Sequence, residues 1–405
     1  MLAPLRHRTY RRLFAAQIVA LIGTGLLTVA LGLLAYDFAG SQAGQVLAIA
    51  LTIKICMYVC AAPIVSSWFQ RAPTAAVLIG ADALRIGIAL MLPFVDTQWE
   101  LYAAIAVLQL ASATFTPAFQ ATIPRVIADE DEYTAALSLS RLAYDLEALL
   151  SPMLAAAALL VMTYHGLFMG TALGFLGSLL FVASVIPQLP KGYKSKKHSL
   201  GGISTMVRTP HLRRLLWLNI AIAAPMAMVL VNTVVIMRTV FQRNDAAVAW
   251  LLAVFGAGSM GVAFLMPKIR ERYGDFPVMW AGAAASISGM VVLYLTLILH
   301  WEWLLWIIWP VLGAALSAMQ TPIGQILRKY TPEAELGQVF AAQFSLSHAC
   351  YLVTYPLAGW LGATMGLSWA TLVLIIIGLF GTMLSVNTRE AAPKLEPVGT
   401  LNSTR

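Results

Sequence analysis

The chain has 405 residues, of which 60% are hydrophobic and 11% charged. A typical soluble domain carries roughly 45–50% and about 25%, so a water-soluble fold, which could not hide this much apolar surface, is excluded. The net charge of +8 does not signal nucleic acid, because the Lys and Arg residues lie between apolar segments, where basic loops orient a membrane protein.

Apolar stretches, each long enough to cross a hydrocarbon core about 30 Å thick, recur from Leu13 to Val386. They predict an all-α polytopic membrane protein with spans over 13–36, 45–68, 74–94, 101–121, 134–161, 165–187, 215–240, 246–267, 277–299, 303–323, 337–362 and 368–386. The first span follows a basic start, Met1 to Arg12, but it is too long and lacks the small-residue cleavage site of a signal peptide. Arg6, Arg8, Arg11 and Arg12 precede it, and Lys191, Lys194, Lys196, Lys197, Arg208, Arg213 and Arg214 fill the central connection. Both segments belong in the cytoplasm, which predicts a bacterial inner-membrane protein with both termini cytoplasmic. The alternate loops hold one basic residue between them, Arg243, and face the exterior. The expected organisation is a six-helix bundle over 1–187, a cytoplasmic linker over 188–214, a second six-helix bundle over 215–386 and a tail over 387–405.

The halves repeat. Arg11-Arg12-Leu13 matches Arg213-Arg214-Leu215, with Gln17 opposite Asn219; Pro73 matches Pro277; Thr116-Pro117 matches Thr321-Pro322; Pro152 matches Pro356. Four matches in order, at a nearly constant offset, predict two bundles related by pseudo-two-fold symmetry and running in parallel, since six spans return the chain to its starting side.

Buried charge is expensive in a bilayer, so the few mid-span ionic groups are candidates for function. Lys54 lies in the second span, Asp82 and Arg85 in the third, and Arg141, Asp145 and Glu147 in the fifth. The second half offers His348 in mid-membrane. Asp82 and Arg85, three apart, share a helix face and form a structural ion pair. Arg141 and Asp145 can pair in the same way, whereas Asp145 and Glu147 lie about 200° apart on the helix. At least one of these two acids points inward and exchanges protons, with Lys54 available to hold the other. His348 is a proton carrier or ligand, or is simply hydrogen-bonded to a neighbour. Gln17, Asn219, Asn232 and Gln343 line the cavity or bond helix to helix. Cys56 and Cys60 share a face suited to apolar packing, and Cys350 lies two residues from His348, so the two cannot aim at one ion. The acidic run Asp129 to Glu132 is either a vestibule that attracts cations or a helix start.

Twelve spans as six plus six, with a basic central loop and parallel halves, resemble the major facilitator superfamily. The resemblance covers almost the whole chain and implies alternating access around a central cavity. Of that family's signature after the second span, Arg71 survives, while Ser66 and Gln70 replace a Gly and an Asp; Arg71 is the expected conformational-loop residue. Asp82, Arg85, Thr116-Pro117 and Pro124 resemble the branch of macrolide and siderophore exporters. The stretches Pro4 to Gln17, Phe119 to Pro124 and Ala136 to Glu147 are most similar to bacterial nickel-resistance exporters of the NreB type, although the tail 387–405 lacks the histidines that some of those carry. The resemblance implies proton-coupled antiport with nickel as cargo, or efflux of an organic solute such as a drug or siderophore. No enzyme motif and no P-loop are present. The expected partners are therefore protons, a small solute or metal ion and the bilayer, with no cofactor and no nucleic acid, the metal ligands unassigned and the chain acting as a monomer.

Overall fold

The computed structural model describes residues 3–57, 72–127, 129–189, 201–332 and 335–388. Among these, every regular element is helical, and twelve helices are long: α1 (Arg8–Ala39), α2 (Ala43–Cys56), α3 (Thr74–Met91), α4 (Gln98–Val126), α5 (Glu130–Leu159), α6 (Tyr164–Ala183), α7 (Pro210–Val235), α8 (Asp245–Tyr273), α9 (Asp275–Leu299), α10 (Leu305–Gln320), α11 (Leu336–Thr364) and α12 (Leu367–Asn387). Eight helical stretches among the described residues are long and apolar enough to cross a membrane, one of which, Arg8–Cys56, holds both α1 and α2. The outward faces are apolar, as lipid demands: Phe264, Leu173, Ile376 and Phe380 are all exposed.

Local chemistry sets the helix ends. Thr97 and Glu100 form a reciprocal capping box at the start of α4. Amide donors of Asp96 and Thr97, with the Thr97 hydroxyl, hold the Glu100 carboxyl below its ordinary range. Asp129 caps α5 by accepting from the Glu132 amide at 2.8 Å, and Glu132 in turn bonds His7 Nε2 at 2.6 Å. In this structure, Asp129 and Glu132 serve the helix start. Gly274 and Gly366 end α8 and α11 with φ of 80° and 97°, a conformation that a side chain would strain. Within the expected linker, Gly201–Arg208 is a helix bound to the start of α11 by Thr205, whose hydroxyl donates to Glu335 Oε2 at 2.6 Å. The two Thr-Pro pairs behave differently: α4 runs through Thr116-Pro117 unbroken, while Thr321-Pro322 ends α10 and a separate helix, Ile323–Tyr330, follows.

The repeat is visible in the packing. In the first half α1 lies against α5 and α6, and α3 against α4 and α6; in the second, α7 lies against α11 and α12, and α9 against α10 and α12. Adding six to each helix number converts one set into the other. The hydrogen bonds repeat as well. Arg12 donates to the Ser184 carbonyl at the end of α6 at 2.8 Å, and Arg214 donates to the Thr388 carbonyl at the end of α12 at 3.1 Å, each guanidinium satisfying a carbonyl at the negative end of a helix. Gln17 accepts from the Ser140 hydroxyl at 3.0 Å, tying α1 to α5. Its counterpart Asn219 exchanges two bonds with Gln343, of 3.2 and 2.8 Å, tying α7 to α11.

The halves meet along two seams, α2 on α11 and α5 on α8. Both have close approaches on the side remote from the chain ends. Small residues let backbones touch there: Ala156 of α5 packs on Ala249 and Ala253 of α8, and a Cβ built on Gly359 would stand 2.5 Å from the Gly44 carbonyl and 2.4 Å from the Ala48 Cβ. Asn232 of α7 closes the same corner by donating to the Ala358 carbonyl at 3.1 Å. Gly359→Leu is therefore expected to wedge this seam open. A thiol reagent added from the remote side should then label Ala48→Cys faster than in the Gly359 parent; equal labelling rates would show that the seam is not held by this contact.

Candidate functional site

Lys54 sits 11 residues into α2, which at 1.5 Å per residue is roughly mid-membrane. Beside it is a small cavity of ≈ 10 Å³, room for about one water, whose lining includes Thr24 and Thr28 of α1, Leu51 and Lys54 of α2, and Gln109 of α4. Both threonine hydroxyls bond back to their own helix, to the carbonyls of Ala20 and Thr24, so their donors are met, and most of the cavity wall is aliphatic. Glu147 comes to the same depth on α5 and attracts the Lys54 ammonium. It can approach because α1 carries Gly25 at this level: a Cβ there would lie 3.3 Å from Glu147 Oε1 and would collide with Ser151. Three helices thus bring one acid and one ammonium to the same level of the membrane.

The structure separates the remaining candidates. Asp82 and Arg85 pair directly on α3, and the pair is caged: the Ser178 hydroxyl of α6 donates to Asp82 Oδ2 at 2.8 Å, and the guanidinium lies between the rings of Phe115 and Phe175, 4.4 and 4.5 Å from their centroids. It holds α3 to α4 and α6. Gln17, Asn219 and Gln343 are buried in the interhelical bonds given above, and Asn232 lies in the remote corner; in this conformation these four join helices instead of lining the small cavity. His348 Nδ1 lies 2.8 Å from the Phe344 carbonyl, and Cys350 Sγ donates to the Leu346 carbonyl at 3.4 Å. The side chains of Arg141 and Asp145 lie outside the described residues, as do Arg71 and Cys60 altogether. Among the described residues, no three His, Cys, Asp or Glu side chains come together as a metal site would need.

Two features escaped the sequence reading. Gln109 is one; it is a mid-span amide like Gln17 and Gln343, and rarity alone marks it. The other is a polar rim on the remote side. Arg238 binds Asp245 at 2.9 Å and lies 4.9 Å over the ring of Tyr36, which belongs to the other half, while Tyr164 bonds Asp37. The rim bridges α1 and α6 to α8 and to the short π-helix Ile236–Val240 that continues α7.

Comparison with known proteins accords with this arrangement. The model of the Major Facilitator Superfamily matches residues 13–308 and again 216–401. No curated protein matches by sequence. Among solved structures, a POT family transporter in complex with a thioalcohol-conjugated peptide superimposes with a TM-score of 0.69 at 13% identity, over 95% of this chain and 97% of that one. The nucleoside transporter NupG gives 0.70 at 11%, over 95% and 100%. A bacterial homolog of the human lysosomal transporter Spinster, in an inward-facing and unoccupied conformation, gives 0.67 at 13%, over 96% and 99%. At these identities the likeness is one of fold. The twelve helices, the repeated bonds and the family match over most of the length together place this chain in the Major Facilitator Superfamily of multi-pass membrane transporters.

Proposed function

We propose that the protein is a proton-coupled exporter working by alternating access, with its termini on the cytoplasmic side of a bacterial inner membrane. The observation that carries this reading is the Lys54–Glu147 pair at mid-depth, where α1, α2 and α5 meet. The attraction between carboxylate and ammonium acts across α5, which packs on α8, and α2, which packs on α11. A proton arriving on Glu147 removes that attraction. Because both helices line the seams with the second half, the change of charge alters what the first half presents to α8 and α11 and biases one arrangement of the halves over the other, as exchange of protons for cargo requires. Arg141 and Asp145, six and two residues before Glu147 on α5, are proposed to share the proton path, and Arg71 to act as the conformational-loop residue. His348 is proposed as a cavity residue.

Two cargoes suit this machinery. The sequence resemblance points to a divalent metal, nickel foremost. An organic solute is the second reading, and the ammonium of Lys54 favours it, since a fixed positive charge beside the cavity opposes a bare cation. The test is reconstitution of the full chain in proteoliposomes with an acid interior, followed by uptake of nickel and of a panel of organic efflux substrates. Uptake of one class that collapses on adding a protonophore is the expected result. Uptake indifferent to the protonophore would overturn the coupling.

A further inference from the structure

Four aromatic side chains run up one face of α11. Phe344, His348, Tyr351 and Tyr355 follow each other at spacings of four, three and four, which keeps them within roughly 60° of arc over about 16 Å of helix. Phe344 and His348 lie ring on ring with centroids 4.0 Å apart, Tyr351 and Tyr355 stack at 4.9 Å and 22°, and the two stacks meet edge-on at 6.0 Å and 81°.

Two observations show where this face points. The lipid-facing side of α11 is marked by Ala349, Val353 and Trp360, all exposed, which lie roughly 140–180° round the helix from the aromatic row. Gly359 and Gly362 continue the row toward the remote side, and Gly359 is the residue that touches Gly44 and Ala48 of α2 in the opposite half. The row therefore faces the join between the halves. Its exposure falls in order along that join: Phe344 is 42% exposed, His348 and Tyr351 are partly covered, and Tyr355 is 6% exposed just beneath the closed seam. A row of rings that served only as core would not open progressively toward one side of the membrane. Tyr351 also lies at about the same depth as Glu147, each roughly 22–25 Å from the termini-side start of its helix.

We propose that this row is the cargo-binding wall of the second half and that it takes a flat aromatic organic molecule, which enters past Phe344 and stacks at the step between His348 and Tyr351. Offset and edge-on ring geometries are the ones π systems favour, and the step supplies a ring face next to a ring edge. The inference rests on the exporter reading and names its substrate class: the first half holds the coupling charges and the second presents the surface that recognises cargo.

The test uses the purified full-length chain in nanodiscs with proflavine, a flat tricyclic dye, titrated by fluorescence polarisation. Saturable binding is expected, with Phe344→Ala and Tyr351→Ala each weakening it about threefold to tenfold, in line with the worth of an aromatic pair. Tyr351→Phe should restore it, and Val353→Ala on the lipid side should leave it unchanged. Phe344 is exposed enough to be cut back without opening the core, so that variant keeps the test meaningful even if Tyr351→Ala folds poorly. Parental affinity in Phe344→Ala and Tyr351→Ala, an equal loss in Val353→Ala, or no saturable binding would each overturn the proposal. Proton-driven nickel uptake without dye binding would sink this inference and leave the exporter reading intact; dye binding at α11 without proton-driven uptake of any cargo would do the reverse.

Discussion

Replacing Glu147 with glutamine is expected to abolish gradient-driven transport while leaving a folded protein. The amide keeps the shape against Gly25 but can neither carry a proton nor attract Lys54. Removing one partner of a fully buried ion pair costs about 3–5 kcal/mol because the other charge is left without compensation. Lys54 and Glu147 are only partly covered, so the loss of stability should fall below that figure. The informative variant is the double one. Lys54→Met with Glu147→Gln removes both charges at similar volume, and its thermal unfolding in detergent should return close to that of the parent. Proton-driven uptake in proteoliposomes should remain absent. A double variant that still transports in response to a pH gradient would place the coupling elsewhere, and Asp145, two residues earlier on α5, would be the next to test.

Loss of Arg85 is expected to be the most damaging single change to stability. Asp82 is fully buried and Arg85 nearly so, and with the guanidinium gone the carboxylate keeps only the Ser178 hydroxyl. The full range of about 3–5 kcal/mol applies. Arg85→Lys should recover only part of it, since an ammonium lacks the flat face that lies between Phe115 and Phe175. Asp82→Leu with Arg85→Met, by contrast, should be near neutral, because a buried pair replaced by apolar groups of like size often loses nothing. Transport per folded molecule should be unchanged in that double variant. Parent-like unfolding of Arg85→Met alone would show that the cage contributes little.

Much of this architecture was legible in the sequence because lipid imposes simple rules. Span length, loop charge and a repeated offset gave twelve helices in two related sets, and the alignment of Gln17 with Asn219 picked out equivalent positions. Their partners were not legible, because an offset reports equivalence and not contact. Lys54 and Glu147 stood out through the rarity of charge; that Glu147 closes on α1 at the level of Lys54 depends on Gly25, whose missing side chain says nothing about neighbours until helices are placed. The aromatic row was hidden for a different reason. Phe344, Tyr351 and Tyr355 are apolar residues in an apolar helix, and a hydropathy profile gives the same value to a ring facing lipid and a ring facing the join. The sign of that face came only from Gly359 and Val353. Proline was a poor guide as well, since Pro117 is absorbed by α4 and Pro322 ends α10.

The paired clasps, Gln17 with Ser140 and Asn219 with Gln343, have a mechanical consequence. Together with the Arg12 and Arg214 anchors they brace each half internally at matching positions, making each set of six helices a stiff plate. Bending a plate would break amide and guanidinium bonds, whereas sliding or tilting one plate on the other disturbs mainly glycine and alanine surfaces, which have no directional bonds to lose. Compliance is thus concentrated along two lines. A force applied at Glu147 is carried through α5 to the whole first half before it reaches α8, so a change of one charge can be felt as a rotation of the entire plate.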